Sequence, residues 1–409
     1  MDTQRWIVFA IFAMSAVMLW EAWQRQFHPP VTPPPISSST KAQGADTPTP
    51  TAVPSQAGAT PPSASVEAPA GQRLTIRTDL YTATVNTAGG VIEDVALAKH
   101  ADIEDTSKPY HALIHTPDRV LVAQSGLLGG PLPNHRTVYE ALPGPRELAS
   151  GQNELQLKLE AKASNGDRVV QTLTFHRGSY VIDVAYDVVN AGPAPIQPFA
   201  YFQFTRDTKH QGSQSSMAPA AYVGPAIYNE NDKFKKVEFS DIDKLAADPT
   251  RKPPFTKDAD NGWVGMVEHY FVAAWLPNQD GKVKREFYTR KLDNGLYAAG
   301  VIVPLGTIAP GATGKVKVPL YVGPQEQDVL SQLAKGLDLV VDYGIFTVIA
   351  APLFWLLKWL NSVIHNWGWS IIALTIIIKS AFYPLNHASA RSMAKMKVIA
   401  PKMKALQEQ

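Results

Sequence analysis

The chain has 409 residues, 45% hydrophobic and 18% charged, and its 38 lysines and arginines nearly balance 36 acids for a formal charge of +2. That much apolar material can bury a sizeable core, while so even a charge, with no basic block interleaved with aromatics along the first 380 residues, sets aside a nucleic-acid-binding protein. The absence of cysteine excludes disulfides, thiolate nucleophiles and thiolate-held zinc, and fits a bacterial envelope protein that folds without oxidation.

Residues 1–28 contain the first apolar run, Trp6 to Trp20, which carries no charge, follows Arg5 and reaches a bilayer-crossing length of about 6–23 once Ala22 and Trp23 are added. A cleaved signal peptide competes with this anchor, but its best small-x-small site, Ala13-Met14-Ser15, leaves too short an apolar stretch, so an uncleaved anchor is expected. Residues 29–71 are rich in Pro, Ala, Ser and Thr, and offer too few large apolar side chains to offset the entropy of ordering. They read as an extended, disordered spacer, with a proline-rich peptide ligand as the other reading.

From residue 72 to 324 the signal is β. Leu155, Leu157 and Leu159 alternate with polar residues, Ser164-Asn165-Gly166-Asp167 supplies a hairpin turn, and Val169 to Phe175 returns. Tyr180, Ile182, Val184, Tyr186 and Val188 form another alternating run, and Tyr81 to Val85, Gly89-Gly90 and Val91-Ile92 read as strand, turn and strand. The spacing predicts one large antiparallel sandwich.

Between residues 325 and 342, Val329, Leu330, Leu333, Leu337 and Leu339 recur at helical spacing and predict a connecting helix. In the next stretch, Tyr343 to Ile378, Lys358 is the only Asp, Glu, Lys or Arg. Ile345 to Ile364 could form a span, but Pro352 and Lys358 interrupt the run, and Leu353, Phe354, Leu356, Leu357, Leu360 and Ile364 gather on one side; an amphipathic helix over 343–366 lying in the periplasmic interface is the preferred reading. Residues 367–385 then form the second span. The tail, 386–409, carries Arg391, Lys395, Lys397, Lys402 and Lys404 and belongs in the cytoplasm by the positive-inside rule. With the N-terminus also inside, residues from about 24 to 366 are periplasmic.

Lys379 falls within the second span, with Thr375 one helical turn earlier and Ser380 beside it. A lysine in hydrocarbon is costly, so it either faces a water-filled groove or snorkels to the headgroups. The polar stripe with Thr375 favours a groove-lining face. Tyr383-Pro384 should end or kink this helix, after which Met393, Met396, Ile399, Met403 and Leu406 give the basic tail an apolar face, suited to packing on itself or to meeting anionic lipid or a ribosome. The histidines at 100, 111, 115, 135, 176, 210 and 269 show no metal-ligand spacing, and neither a nucleophile elbow nor a phosphate loop occurs, so no catalysis, cofactor or metal is expected.

Several segments together resemble the YidC branch of the Oxa/Alb/YidC membrane protein insertase family, Gram-negative type: Gly262 to Pro277 (GWVGMVEHYFVAAWLP), Leu320 to Pro324, Val341 to Gly344, Pro352 to Trp359, Asn366 to Ser370 and Ser392 to Met396. The resemblance covers nearly the whole chain. It implies a periplasmic β-supersandwich, galactose-mutarotase-like in fold but not an enzyme, and transmembrane plus amphipathic α-helices in the inner membrane. It also implies a hydrophilic groove that receives nascent membrane proteins, alone or beside the Sec translocon, with SecF-type subunits meeting the periplasmic domain. Lys379 occupies the position of the family's groove arginine and Thr375 that of a polar neighbour; lysine keeps the charge but loses the planar fork. Such relatives continue with a cytoplasmic hairpin and four further spans, and this sequence ends within the first hairpin helix, as expected of a truncated piece. Two other classes compete. A membrane-tethered sugar-binding domain predicts clustered carboxylates, histidines and aromatics on a concave sheet, and a scaffold predicts a bare sheet edge or apolar patch.

Overall fold

The computed structural model describes residues 71–102, 105–209, 222–248, 250–278, 283–341 and 347–407; the expected anchor, all of the expected spacer except Gly71, and His210 lie outside them. The alternating sequence from residue 73 onward folds into two nine-stranded sheets in which every strand pairing is antiparallel. The first runs, in spatial order, β1 (Arg73–Arg77), β2 (Tyr81–Asn86), β3 (Val91–Ala101), β4 (Pro109–His115), β5 (Val120–Leu128), β10 (Phe199–Arg206), β17 (Tyr297–Pro304), β16 (Arg285–Lys291) and β13 (Asp258–Ala259). The second runs β12 (Lys233–Lys236), β11 (Gly224–Asn229), β14 (Trp263–Val267), β15 (Phe271–Trp275), β18 (Thr313–Pro324), β9 (Val181–Val189), β8 (Arg168–His176), β7 (Glu154–Lys162) and β6 (Glu140–Ala141).

The period-2 pattern decides which face is inside. Leu155, Leu157 and Leu159 of β7 are buried, whereas Glu154, Gln156 and Lys158 between them are exposed. Opposite the second sheet, Phe202 and Phe204 of β10 pack on Trp275 at ring separations of 5.1 and 5.9 Å, so one continuous core joins the sheets. Burying such aromatics is worth roughly 1.5–3 kcal/mol each, and the layer holds many. At Gly89-Gly90 the chain turns with φ of 81° and 60°, and a Cβ on Gly90 would overlap the Gln171 amide, so the turn demands glycine sterically as well as conformationally.

Two local departures from the sequence expectation have clear causes. Within the β region, α1 (Phe239–Ala247) is helical because Phe239, Ile242 and Leu245 recur three apart; Ile242 is buried, and Asp243 accepts hydrogen bonds from Lys291 Nζ at 2.8 Å and Tyr297 Oη at 3.0 Å. The connecting helix expected over 325–342 is two pieces, α2 (Gln327–Leu333) and a 3-10 turn (Leu337–Val340). Gly336, at φ 72°, breaks it. The break lets Leu330, Ala334, Leu337 and Val340 all reach a second cluster on the outer face of the second sheet, around Tyr228, Trp263 and Tyr321. The Lys335 carbonyl freed by the break accepts a hydrogen bond from Trp263 Nε1 at 3.2 Å.

Candidate membrane face and insertion site

Beyond the sandwich lie α3 (Thr347–Ile364) and the long α4 (Trp367–Gln407), which pack against each other beside a two-residue turn. His365 takes a left-handed conformation (φ 55°) and its N–H donates to Asn361 O at 2.8 Å, closing α3. Asn366 then caps α4, its Oδ1 accepting from Trp369 N at 3.2 Å. Leu360 and Ser370 are buried by this hairpin.

Apart from Val138, Tyr270, Val329 and Leu339, every exposed large apolar side chain among the described residues lies on these two helices. On α3, Val348, Trp355, Trp359 and Val363 are open, and on α4 Trp367, Trp369, Ile371, Ile372, Ile376, Ile377 and Phe382 are open. A soluble surface does not carry so dense an apolar patch, whereas a lipid-facing one does. No single helix among the described residues is long and apolar enough to cross a membrane. The two arms of α4, Trp367–Pro384 and Asn386–Met393, pass together, bent by 49°. The bend falls at Pro384, which lacks the backbone donor a straight helix would use there.

Lys379 and Ser380 are exposed on the first arm of α4, with Thr375 one turn before Lys379. The Thr375 hydroxyl donates to Ile371 O at 2.8 Å, so its hydrogen is taken by its own helix and its oxygen is left to accept from elsewhere. On α3, Leu360 is buried, Leu353, Leu356 and Leu357 are half-buried, and Phe354 is exposed. The fully open stripe, Trp355, Trp359 and Val363, is the opposite face, which a search for one apolar side passes over because α3 is apolar almost all round. Lys358 is held by an ion pair with Asp328 of α2 and lies over the Phe354 ring, 6.0 Å from its centroid. Arg391 is exposed on the second arm; Lys395, Lys397, Lys402 and Lys404 lie on α4 beyond Met393, and their side chains fall outside the described residues.

The sandwich also carries polar clusters. A cleft of about 740 Å³ at the first sheet is lined by Phe199, Ile302 and Pro304 and by Asp258, Asp260 and Glu286. The guanidinium of Arg285 in its wall is spent on backbone carbonyls, including Gly262 O and Asn278 O, both at 2.9 Å. Histidines sit elsewhere: His135 is buried against Tyr201, which lies 5.7 Å away ring to ring, and burial pushes it down to about 4. His115 and Arg73 flank Glu93, at 3.2 and 2.7 Å. Burial alone would raise the Glu93 carboxyl, but hydrogen bonds from His115, Asn86 and Arg73 outweigh it and hold it at about 2, and the same contact raises His115. The cleft's carboxylates thus have no histidine beside them in its lining, whereas His100 lies against Tyr180 and Phe271, at ring separations of 6.4 and 5.3 Å. Among the described residues no group of three or more His, Asp or Glu could hold a metal. The β12 edge is lined with Lys233, Lys235 and Lys236, a charged edge that discourages strand addition.

Known proteins bear on these helices and on the sandwich alike. The family described as YidC periplasmic domain matches residues 73–356, and the one described as 60Kd inner membrane protein matches 359–409. A protein named membrane protein insertase YidC from Nitrosospira multiformis is 46% identical over 427 residues, covering all of this chain and 73% of that protein. The protein of the same name from Aromatoleum aromaticum is 44% identical over 416 residues, again covering all of this chain and 73% of the relative. Among solved structures, a galactose mutarotase-like protein from Lactobacillus casei aligns with 61% of this chain and all of its own at a TM-score of 0.39 and 10% identity.

Proposed function

The chain belongs to the YidC family of membrane protein insertases, and on that premise we propose that it helps nascent inner-membrane proteins into the bilayer. The observation that carries the reading is the concentration of exposed apolar surface on α3 and α4, with Lys379 the only charge in the arm Trp367–Pro384. In this reading the first arm of α4 is one wall of a hydrophilic groove, with Lys379, Thr375 and Ser380 facing the substrate path. The lysine acts as a point charge: it draws water and acidic substrate segments partway into the hydrocarbon, which lowers the cost of moving polar residues across. No covalent bond changes.

The same reading sets α3 in the periplasmic interface, both chain ends in the cytoplasm, and residues from about 24 to 366 outside, with the basic end of α4, Arg391 to Lys404, meeting anionic headgroups or a ribosome. The Sec translocon, through SecF-type subunits, is the partner proposed for the sandwich. The test is rescue of an insertase-depleted cell together with photocrosslinking to nascent chains from residue 375 and, as the lipid-facing control, residue 377. Rescue by wild type and Lys379→Arg but not Lys379→Ala, with crosslinks from 375 alone, is the expected result. Full rescue by Lys379→Ala would make the lysine a snorkelling residue and remove it from the mechanism.

A further inference from the structure

Tyr270 is the most exposed of the four large apolar side chains open on the sandwich and its helical extension, at 61% against 44% for Val138, 40% for Val329 and 45% for Leu339. It sits at the tip of the β14–β15 hairpin, and the tip is firmly built. Glu268 N donates to Phe271 O at 2.9 Å, Gln325 Nε2 donates to Glu268 O and Phe271 O at 2.8 and 3.0 Å, and Gln325 N donates to Tyr270 O at 2.9 Å. Below it, Phe271 stacks on Tyr110 at 3.8 Å, and the His269 ring lies edge-on to Tyr270 at 4.0 Å. An aromatic held out on so rigid a support has already lost the freedom that binding would cost.

Gln325 leads directly into α2, where Asp328 pairs with Lys358 in the middle of α3 and Val329 stands open. The tip therefore lies at the end of the sandwich from which α3 departs. The β7–β8 turn is at the other end, because β9 and β18 run between them: Val189 pairs with both Arg168 and Thr313, while Pro324 pairs with Phe271.

We infer that the His269–Tyr270 tip is a second membrane contact, seating the sandwich on the periplasmic leaflet beside α3 with the tyrosine ring at headgroup depth. Tyrosine suits that depth because its ring is apolar and its hydroxyl is wet. The occupant is the zwitterionic lipid interface: Glu326 and Asp328 are exposed at this end, where acidic side chains do not draw anionic lipid, and Asp328 is paired with Lys358. The inference rests on the membrane reading of α3.

Because the chain has no cysteine, single probes can be placed cleanly. Cysteine in place of His269, Trp355 or Ser164, carrying an environment-sensitive fluorophore, would be read in the full chain reconstituted into phosphatidylcholine bilayers with brominated acyl chains. Quenching at 269 and 355 but not at 164, unchanged by added anionic lipid, is expected. Tyr270→Ser should cut quenching at 269 about twofold, and Tyr270→Trp should keep it. Quenching at 355 without 269 would overturn the anchor alone, and a blue shift at 269 without bromine quenching would assign the tip to a protein partner and overturn it too. No quenching at either site would overturn the interfacial reading of α3 as well.

Discussion

Replacing Glu268 with alanine tests what holds the β14–β15 hairpin in place. Arg206 is 1% exposed and Glu268 4%, and their Nη1–Oε1 separation is 2.6 Å. Arg206 Nε and Nη2 donate to Asp207 O at 2.7 Å and Lys209 O at 2.9 Å, so only Nη1 depends on the carboxylate. Removing that carboxylate strands a buried positive charge, which costs about 3–5 kcal/mol, whereas replacing the pair by apolar residues is near neutral except for Arg119, whose Nη2 also sits 3.8 Å from Glu268 Oε2. For a domain of this size the single loss lowers the melting temperature by roughly 6–20 °C. The assay is thermal unfolding in detergent, followed by near-ultraviolet circular dichroism, with the buried Trp263 and Trp275 as reporters. Glu268→Ala should fall in that range, and the double change Arg206→Met with Glu268→Leu should recover the part due to Arg206 but not the part due to Arg119. A single mutant within about 1 kcal/mol of wild type, or a double mutant as unstable as the single, would refute the argument that an uncompensated buried charge is what matters.

Gly336→Ala forces a Cβ into the Tyr228 ring at a left-handed position, and should cost about 1–3 kcal/mol in the same melt. Asp328→Asn removes a pair whose side chains are 37% and 72% exposed, and should change stability by less than about 1 kcal/mol, so a larger loss by urea titration would mean that α3 is fastened to the sandwich mainly by this contact. The pH profile has two limbs. His135 has a folded value of about 4, below its ordinary range, so stability drops as pH falls from about 6.5 toward 4. His115 is raised by Glu93, so its contribution is complete below its ordinary value and is lost as pH rises through the folded one. Urea midpoints should therefore peak near pH ~6.5. His115→Gln should shallow the alkaline limb by about 0.5 kcal/mol, because the pair is partly exposed, and leave the part that His111, raised by its hydrogen bond to Asp94, contributes.

The sandwich was legible because its code is local and redundant: a strand such as Glu154–Lys162 repeats the inside-outside alternation several times over, and a hairpin signal at Asn165-Gly166 fixes the register with its neighbour. The break at Gly336 was not legible, since Leu330, Leu333 and Leu337 keep helical spacing straight through it; what selects the break is the Tyr228–Trp263 surface, contributed by β11 and β14, which lie far earlier in the sequence. The open stripe of α3 was missed for the converse reason. Pattern analysis finds a moment only where one side is polar, and α3 is apolar on nearly every side. Lys358 makes the point: the one charge in that stretch, which read as an interruption, is instead turned toward Asp328. A lone charge in an apolar run thus marks where a helix touches its own protein, and by the same physical logic Lys379, with no acid near it in sequence, is the position at which a partner's charge should be sought.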